Sequence, residues 1–320
     1  FGVALADALN DQLALPCANT AQTTVLRRDK YAMHQALAAR QLTSIPQYKS
    51  AHKDALIAWV ITRGIFPVVV KPLNSAASDG VTVCDDLAGV ERAIDNILGQ
   101  VNLLGRVNNE VLLQAFVTGT QYFVNTLTWQ GITIITDSWQ VMRTRQKNQS
   151  FRFVGMTLCD GERVQRTGMA EYIAQVMAAL CFHYGPAHNE VLLTAEGPVL
   201  IESNARLMGA SLCEALFHQA LGYTQSSLCA EMYLAPERFL AQYHPHCYGV
   251  KLHVYEVSFL FQRSGLLVDM PLKSMLEQLA SFYCFSHLPT LNQLVTVTTT
   301  TLGEAGFLYL AHASRAVVER

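Results

Sequence analysis

"NEVLLTAEGPVLIESNARLMG", residues Asn189–Gly209, is the stretch that decides the fold. Apolar runs flank the pair Glu196-Gly197, and this pattern predicts a β-hairpin that turns at the pair. Glu202 and Asn204 are two residues apart, so they share one face of the second strand. With a turn at that pair, Glu190 on the first strand comes roughly opposite Glu202.

Two carboxylates that face each other on a half-buried sheet are costly unless a cation lies between them. The neighbouring segments VLL and VLI are apolar, which disfavours an ordinary solvent-facing polar edge. A divalent metal fits, because hard cations prefer oxygen ligands, with phosphate and water filling the remaining positions. The hairpin therefore predicts a metal site made of Glu190, Glu202 and Asn204. Arg206 continues the same alternation and is suited to binding an anion beside the metal.

Further towards the N-terminus, FPVVVKPLNSAASDGVTVC (Phe66–Cys84) carries a lysine at the end of a predicted strand. The loop Asn74–Gly80 that follows Lys71 has small side chains, so its backbone N–H groups can approach phosphate oxygens closely. The flanking strands make this loop a hairpin tip, and neither G-x-x-x-x-G-K-[ST] nor G-x-G-x-x-G occurs in the sequence. Taken alone, the loop is best interpreted as a polar turn. A lysine at a strand end is expected at the surface, where it adds little folding energy.

Composition bounds the class of protein. The 320 residues are 51% hydrophobic and 15% charged, with a net charge of -2 at pH 7. No apolar run reaches the ~18 residues of a spanning helix, and the charge favours no nucleic-acid or membrane-surface partner. Eight cysteines without a Cys-x-x-Cys pair indicate reduced thiols in a cytoplasmic protein. The chain begins at Phe1, inside an amphipathic pattern, and we expect residues or a whole domain before it.

Helical and strand patterns alternate along the chain and predict an α+β fold with antiparallel hairpins. Two helices are predicted before the hairpin loop, at Arg27–Leu42 and Asp54–Gly64. Helices are also predicted from Ser211 to Ala235. A mixed tail follows from Tyr248. Its strands are predicted in YGVKLHVYEV and QLVTVTTTTL, and the short segment TSIPQY is predicted as a further strand before the second helix.

Six of these features occur in an order that resembles the ATP-grasp carboxylate–amine ligases, in particular the amino-acid ligases that make dipeptides. They are the D-K-Y helix start at Asp29–Tyr31, the strand ending in Lys71, the small-residue loop, the strand LLQAF, the segment GTQY, and E…E-x-N-x-R. The resemblance runs from about Arg27 to about Ala311. Two departures are Gln114, where acidic residues are common, and Gln121, where the family usually has a glutamate for the ribose hydroxyls. A glutamine can still hydrogen-bond a hydroxyl, but without charge assistance.

The resemblance implies an α+β ATP-grasp fold, in which two α+β subdomains grip the nucleotide between antiparallel sheets. Residues 1–25 would be the remnant of an N-terminal domain. Residues 26–113 would form the small lid subdomain, and residues 114–320 the large subdomain with a C-terminal α+β extension.

The resemblance also implies ATP and Mg²⁺ as cofactors, with Mn²⁺ as an alternative ion. Arg206 and Lys71 would be catalytic, and Glu190, Glu202 and Asn204 would hold the metal. The adenine edge would meet the main chain of 115–117. The loop would cover the β- and γ-phosphates and open to release ADP. The implied nucleotide-binding residues are Lys30, Lys71, Ser75, Ser78, Asp79, Gly80, Gln114, Phe116, Val117 and Gln121.

The implied reaction joins the carboxylate of an amino acid to an amine through an acyl phosphate. Gly209, Ala210 and Ser211 would leave room for the side chain of the carboxylate substrate. Two alternatives stay open: a nucleotide-binding module without catalysis, and a small-molecule kinase on the same scaffold. A homodimer is also left open. The basic stretch Met142–Arg152 fits an anionic substrate and a solvated loop equally well.

Overall fold

A computed structural model of the chain describes residues 2–75, 78–145, 151–209, 213–243, 248–298 and 306–319. Its strands form a four-stranded sheet, an eight-stranded sheet and a two-stranded ribbon, and every paired strand is antiparallel. The predicted α+β class is therefore confirmed. The helices are α1 (Val3–Gln12), a 3₁₀ helix (Ala21–Arg27), α2 (Lys30–Ala39), α3 (Lys53–Arg63), α4 (Leu87–Asp95), α5 (Gly161–Arg166), α6 (Met169–Ala179), α7 (Glu214–Leu221), α8 (Gln225–Leu234), α9 (Pro236–Tyr243), α10 (Lys273–Leu276) and α11 (Arg315–Val318).

The four-stranded sheet has the order β1-β4-β2-β3 and the eight-stranded sheet the order β12-β14-β10-β7-β6-β5-β8-β9, while β11 pairs with β13. The strands are β1 (Gln47–Ser50), β2 (Val68–Pro72), β3 (Thr82–Cys84), β4 (Val111–Ala115), β5 (Thr120–Trp129), β6 (Ile132–Arg145), β7 (Phe151–Leu158), β8 (Tyr184–Thr194), β9 (Gly197–Asn204), β10 (His253–Ser258), β11 (Gly265–Leu266), β12 (Phe282–Ser286), β13 (Leu294–Val295) and β14 (Phe307–His312).

The small sheet buries one face and leaves the other for the site. Val68 and Val70 of β2 lie in a core with Leu56 of α3 and Ile94 of α4. Because successive strand residues point to opposite faces, Lys71 lies on the face away from these helices. The β-branched run thus anchors the strand and directs its lysine towards the large sheet.

The large sheet carries the main core on the face that α6 covers. Val191 of β8 and Leu200 of β9 are fully buried there, together with Ile173 and Val176 of α6. The predicted hairpin is confirmed, because Glu190 pairs with Glu202 in the register. A β-bulge adjoins this pair, because Val191 pairs with Leu200 and Ile201 of β9 is the extra residue; such bulges re-aim side chains.

Local chemistry explains where two predicted elements were wrong at their ends. Helix α2 begins at Lys30 because the side chain of Asp29 accepts a hydrogen bond from the N–H of Ala32, at 2.9 Å. The strand predicted over TSIPQY begins at Gln47, after Pro46, whose nitrogen cannot donate to a ladder.

The C-terminal region departs most from the sequence prediction. The predicted helical region to Ala235 continues as α9, and its predicted start at Ser211 lies outside the described residues. The strand predicted in QLVTVTTTTL is only the two residues of β13, with 299–302 outside the described part. Strands β12 and β14 were not predicted, yet they form one edge of the large sheet. Among the residues that the structure describes, every helix is too short or too polar to cross a lipid bilayer.

Candidate active site

A cavity of about 290 Å³ lies between the free face of the small sheet and the β8–β9 hairpin of the large sheet. Of the residues predicted for the site, Gly80 alone does not line this cavity. Its φ of +67° is a left-handed conformation that favours glycine, which fits its place in the turn before β3. The predicted residues that line the cavity are Lys30, Lys71, Ser75, Ser78, Asp79, Gln114, Phe116, Val117, Gln121, Glu190, Glu202, Asn204 and Arg206.

The acidic end of the cavity is built by the hairpin. Lys30 Nζ lies 3.2 Å from Glu202 Oε2, and Asn204 Nδ2 donates to Glu202 Oε1 at 3.0 Å. Gln121 Nε2 donates to Glu190 Oε2 at 2.9 Å. The amide of Gln121 is thus directed at a carboxylate that we expect to bind metal, and its predicted contact with a ribose stays a prediction.

The two carboxylates differ in their preference for a proton. Burial and the neighbouring charge of Glu202 raise the pKa of Glu190 above its usual range. Burial acts on Glu202 in the same direction, but Lys30, the hydrogen bond from Asn204 and Lys71 lower the pKa of Glu202 below its usual range. Glu202 therefore favours its ionised form, and Glu190 beside it favours its protonated form. A divalent cation would let both ionise, so these oxygen donors fit Mg²⁺.

Lys71 was expected at the surface, and that expectation is wrong. The residue is 3% exposed. Burial and the nearby charge of Lys30 lower the pKa of the Lys71 ammonium to about 8, against the opposing attraction of Glu202 and Glu190. Lys71 lines the cavity between the two sheets, together with Lys30, Glu190 and Glu202. A buried ammonium without a full counter-charge is a ready binding site for an anion.

The predicted phosphate loop lies between β2 and β3, and two of its residues, Ala76 and Ala77, are outside the described residues. Asp79 Oδ2 accepts hydrogen bonds from Ser75 Oγ at 2.6 Å and from the N–H of Leu103 at 2.9 Å. Lys30 Nζ also donates to the carbonyl oxygen of Ser75, at 3.2 Å. The base of the loop is therefore tied both to the small domain and to the lysine that contacts Glu202.

The opposite end of the cavity is apolar and aromatic. Val69, Val83, Leu192 and Ile201 line it together with the segment 114–117, which comprises the end of β4 and the next two residues. That segment turns into β5 at Gly119, where a Cβ would lie 2.7 Å from the carbonyl oxygen of Leu193. Only glycine allows so close an approach of the two backbones. Apolar walls beside a main-chain edge suit a planar heteroaromatic ring.

Two cavity residues, the aromatic Phe151 and the basic Arg143, were given no role from the sequence. Phe151 stacks on Phe116, with ring centroids 6.2 Å apart, and Arg143 lies 3.9 Å from the centre of the Phe151 ring. Burial lowers the pKa of Arg143. Arg145 forms a two-pronged ion pair with Asp85, at 2.7 and 3.0 Å, which links the large sheet to the small one. The basic stretch is thus partly a cavity wall, although 146–150 lie outside the described residues.

A buried polar network supports the segment after Arg206. Asp137 accepts hydrogen bonds from Asn125 Nδ2 at 2.6 Å and from Trp139 Nε1 at 2.7 Å. Gln225 Nε2 also donates to Asp137, and its oxygen accepts from the N–H of Met208 at 3.1 Å. This network fixes the chain where it leaves β9. The predicted space for a substrate side chain begins at Gly209, but Ala210 and Ser211 lie outside the described residues.

Comparison with known proteins agrees with this geometry. The family model described as the ATP-grasp domain matches residues 65–214. Dapdiamide A synthase of Enterobacter agglomerans is 36% identical over 240 residues, which are 75% of this chain and 56% of the synthase. An uncharacterized protein of Sinorhizobium fredii is 31% identical over 182 residues, covering 57% of this chain and 36% of that protein. The chain spans about half the length, or less, of these relatives.

Solved structures share the fold. The crystal structure of an L-amino acid ligase from Bacillus licheniformis has a TM-score of 0.79 at 19% identity, and the match covers 99% of this chain and 76% of the ligase. Phosphoribosylglycinamide synthetase from Anaerococcus prevotii has a TM-score of 0.62 at 14% identity, with 98% and 76% covered. The chain belongs to the ATP-grasp family. Within that family, the similarity to dapdiamide A synthase supports the resemblance to carboxylate–amine ligases, and the L-amino acid ligase shares the fold.

Proposed function

We propose that this chain carries the ATP-grasp part of an ADP-forming ligase that joins an amino-acid carboxylate to an amine. The observation that carries the proposal is one cavity in which carboxylate and cationic side chains lie close together. Glu190 and Glu202 face each other across the hairpin, and Lys30 is 3.2 Å from Glu202. The buried Lys71 and the exposed Arg206 line the same space. The names of the relatives, a synthase and an L-amino acid ligase, support the same class of reaction.

The nucleotide would lie along the cavity with its base at the apolar end. The main chain of 115–117 would meet the adenine edge, with Phe116 beside the ring. Lys30 and Lys71 would contact phosphate oxygens, because both ammonium groups line the cavity. The loop residues Ser75, Ser78, Asp79 and Gly80 would offer backbone donors to the outer phosphates.

Glu190, Glu202 and the amide oxygen of Asn204 would hold Mg²⁺, or Mn²⁺ in its place. Such an ion would supply positive charge that neutralises the phosphate oxygens during phosphoryl transfer. Lys30 and Lys71 add fixed positive charge on the same phosphates. The lowered pKa of Lys71, about 8, still leaves the ammonium mainly protonated at neutral pH.

The reaction then proceeds in two steps. A carboxylate oxygen of the first substrate attacks the γ-phosphorus, the bond to the β,γ-bridging oxygen breaks, and ADP leaves. The neutral amine attacks the acyl carbon, the bond from that carbon to the phosphorylated oxygen breaks, and phosphate leaves with that oxygen and with the proton that the amine loses. Arg206 would stabilise the transferring phosphate and the oxyanion, since a guanidinium forms paired hydrogen bonds to such oxygens. The chemistry needs no side-chain nucleophile.

The domain boundaries are part of the same proposal. We keep 1–25 as a remnant of a preceding domain, 26–113 as the lid subdomain and 114–320 as the large subdomain. The boundary between 113 and 114 falls inside β4 (Val111–Ala115), so the hinge would be the segment 116–119 that follows the strand. Two further statements stay predictions from the sequence: small-molecule substrates and a cytoplasmic location. A homodimer stays open.

Measuring ADP release with amino acids supplied singly and in pairs tests the proposal. Release that needs two substrates, together with an amide product in equal amount, is the expected result. Release with one substrate and a phosphorylated product would show a kinase. ATP binding without ADP release under any pair would show a binding module, and either outcome would overturn the ligase.

A further inference from the structure

Two glutamine side chains meet across the small sheet beside the cavity. Gln47 of β1 and Gln114 of β4 are partners in the antiparallel register. Gln114 Nε2 donates to Gln47 Oε1 at 3.0 Å, and Gln47 Nε2 donates to the carbonyl oxygen of Tyr31 at 2.8 Å. Gln114 is 2% exposed and lines the cavity directly before the segment 115–117.

The direction of this chain of hydrogen bonds follows from its first member. A backbone carbonyl can only accept, so the nitrogen of Gln47 must face Tyr31. The oxygen of Gln47 is then left for Gln114, and an oxygen acceptor can be met only by the Gln114 nitrogen. Tyr31 in turn is held in α2, next to Lys30. The orientation of the Gln114 amide is therefore set by the protein before any ligand binds.

The bond to Gln47 uses one N–H of Gln114 Nε2 and leaves the second N–H and the carbonyl oxygen, a pure acceptor, for other partners. Within the described part of the chain, the Gln114 side chain forms its hydrogen bond to Gln47 through the nitrogen and none through this oxygen. A ligand with an N–H group at this position satisfies the oxygen, whereas a ligand with a carbonyl group there places two acceptors against each other.

We propose that Gln47 is a positioning residue that locks the Gln114 amide as an acceptor for the 6-amino group of a purine, and so selects ATP over GTP. The inference rests on the proposed function, because it needs a nucleotide base at the apolar end of the cavity. The 6-amino group of adenine donates, whereas the 6-oxo group of guanine and hypoxanthine accepts. Without the lock, the Gln114 amide could rotate and offer its nitrogen to a 6-oxo group.

The test compares the binding of ATP, GTP and ITP, each with magnesium, to the wild-type protein, Gln47→Met and Gln47→Glu. We expect the wild type to bind ATP at least about tenfold more tightly than GTP or ITP, the equivalent of one well-placed hydrogen bond. Gln47→Met should bring the ratio of ATP to ITP affinity close to one. Gln47→Glu keeps an oxygen against the Gln114 nitrogen, so it should keep the wild-type ratio while its Tm falls through the lost bond to Tyr31.

A second comparison uses only the wild-type protein, so it tests the inference even if a variant fails to fold. Purine riboside triphosphate lacks the 6-amino group, and the wild type should bind it about tenfold more weakly than ATP. Equal binding of these two nucleotides, or an unchanged ATP-to-ITP ratio in folded Gln47→Met, would overturn the inference and leave the proposed function intact. A wild-type protein that binds none of these nucleotides would overturn the proposed function itself.

Discussion

Replacing Lys71 by methionine should separate the folding cost of the site from its binding role. Methionine keeps the unbranched shape of the side chain and removes the charge. Lys71 is 3% exposed, and its pKa is lowered from 10.5 to about 8. A cation whose pKa falls on folding destabilises the protein. This penalty is complete below about pH 8 and disappears as the pH rises through 10.5.

The size of the effect follows from that shift. At 1.36 kcal/mol for each pKa unit, burying the charged Lys71 costs about 3 kcal/mol at pH 7. Glu190 and Glu202 lose a neighbouring cation in the variant, which offsets part of the gain. We expect the nucleotide-free variant to be more stable by about 1 to 2 kcal/mol, which corresponds to a Tm a few degrees higher. Affinity for ATP should fall about ten- to a hundredfold, because one charge-assisted hydrogen bond is lost.

The assay is a pair of measurements on the same preparations: Tm without ligand, and ATP titration with magnesium. Lys53→Met is the matched control, because Lys53 is an exposed lysine that pairs with Asp95 at 2.7 Å on the far side of the small sheet core. It should change stability by less than about 1 kcal/mol and leave ATP affinity unchanged. A lower Tm for Lys71→Met would refute the burial argument, and wild-type ATP affinity would remove Lys71 from the site.

Three further outcomes follow from the same contacts. Glu202→Gln should abolish ADP release and leave the fold intact, because the metal loses an anionic ligand; near-normal turnover would contradict the metal assignment. The amides of 78–80 should exchange hydrogen readily without nucleotide and become protected with ATP and magnesium; equal protection in both states counts against a phosphate lid. Glu256 is 1% exposed. Burial raises its pKa from 4.5 to about 7, although the hydrogen bond from Tyr309 acts in the opposite direction. The stability that the protonated form provides is therefore lost as the pH rises from about 4.5 through 7. Glu256→Gln should therefore match the wild type near pH 5 and exceed it by about 3 kcal/mol near pH 8 in denaturant unfolding; parallel pH profiles of the two proteins would show that this pKa shift is absent.

The sequence was most informative where a turn and an alternation fix the geometry together. The turn signal near 196–197 marks the hairpin, so spacing predicts Glu190 roughly opposite Glu202. The exact pairing could not be predicted, because the ladder that starts at the turn would place Glu190 opposite Ile201, and the extra residue Ile201 brings Glu202 there instead. One inserted residue leaves no signal in an apolar strand. The burial of Lys71 was equally hidden. It depends on how the large sheet covers the end of β2, which is a contact between distant parts of the chain.

The remaining misses have similar causes. Arg143 and Phe151 belong to a stretch whose charges suit a solvated loop as well as a cavity wall, and composition cannot choose between the two. Strand β12 has the sequence FYCFS, which lacks the alternation that marks a half-buried strand. Its pairing with β14 is decided by the sheet edge it joins. The lock between Gln47 and Gln114 needed the observed register, since the two residues are far apart in the sequence.

The most direct test of the proposed ligase follows one oxygen atom. With the carboxylate substrate labelled in its carboxylate oxygens and an amine partner that supports ADP release, the acyl-phosphate route transfers one labelled oxygen to each phosphate released. We expect labelled phosphate in equal amount to the amide product. Amide formation with unlabelled phosphate would contradict the acyl phosphate, and labelled phosphate that appears without any amide would contradict the ligase.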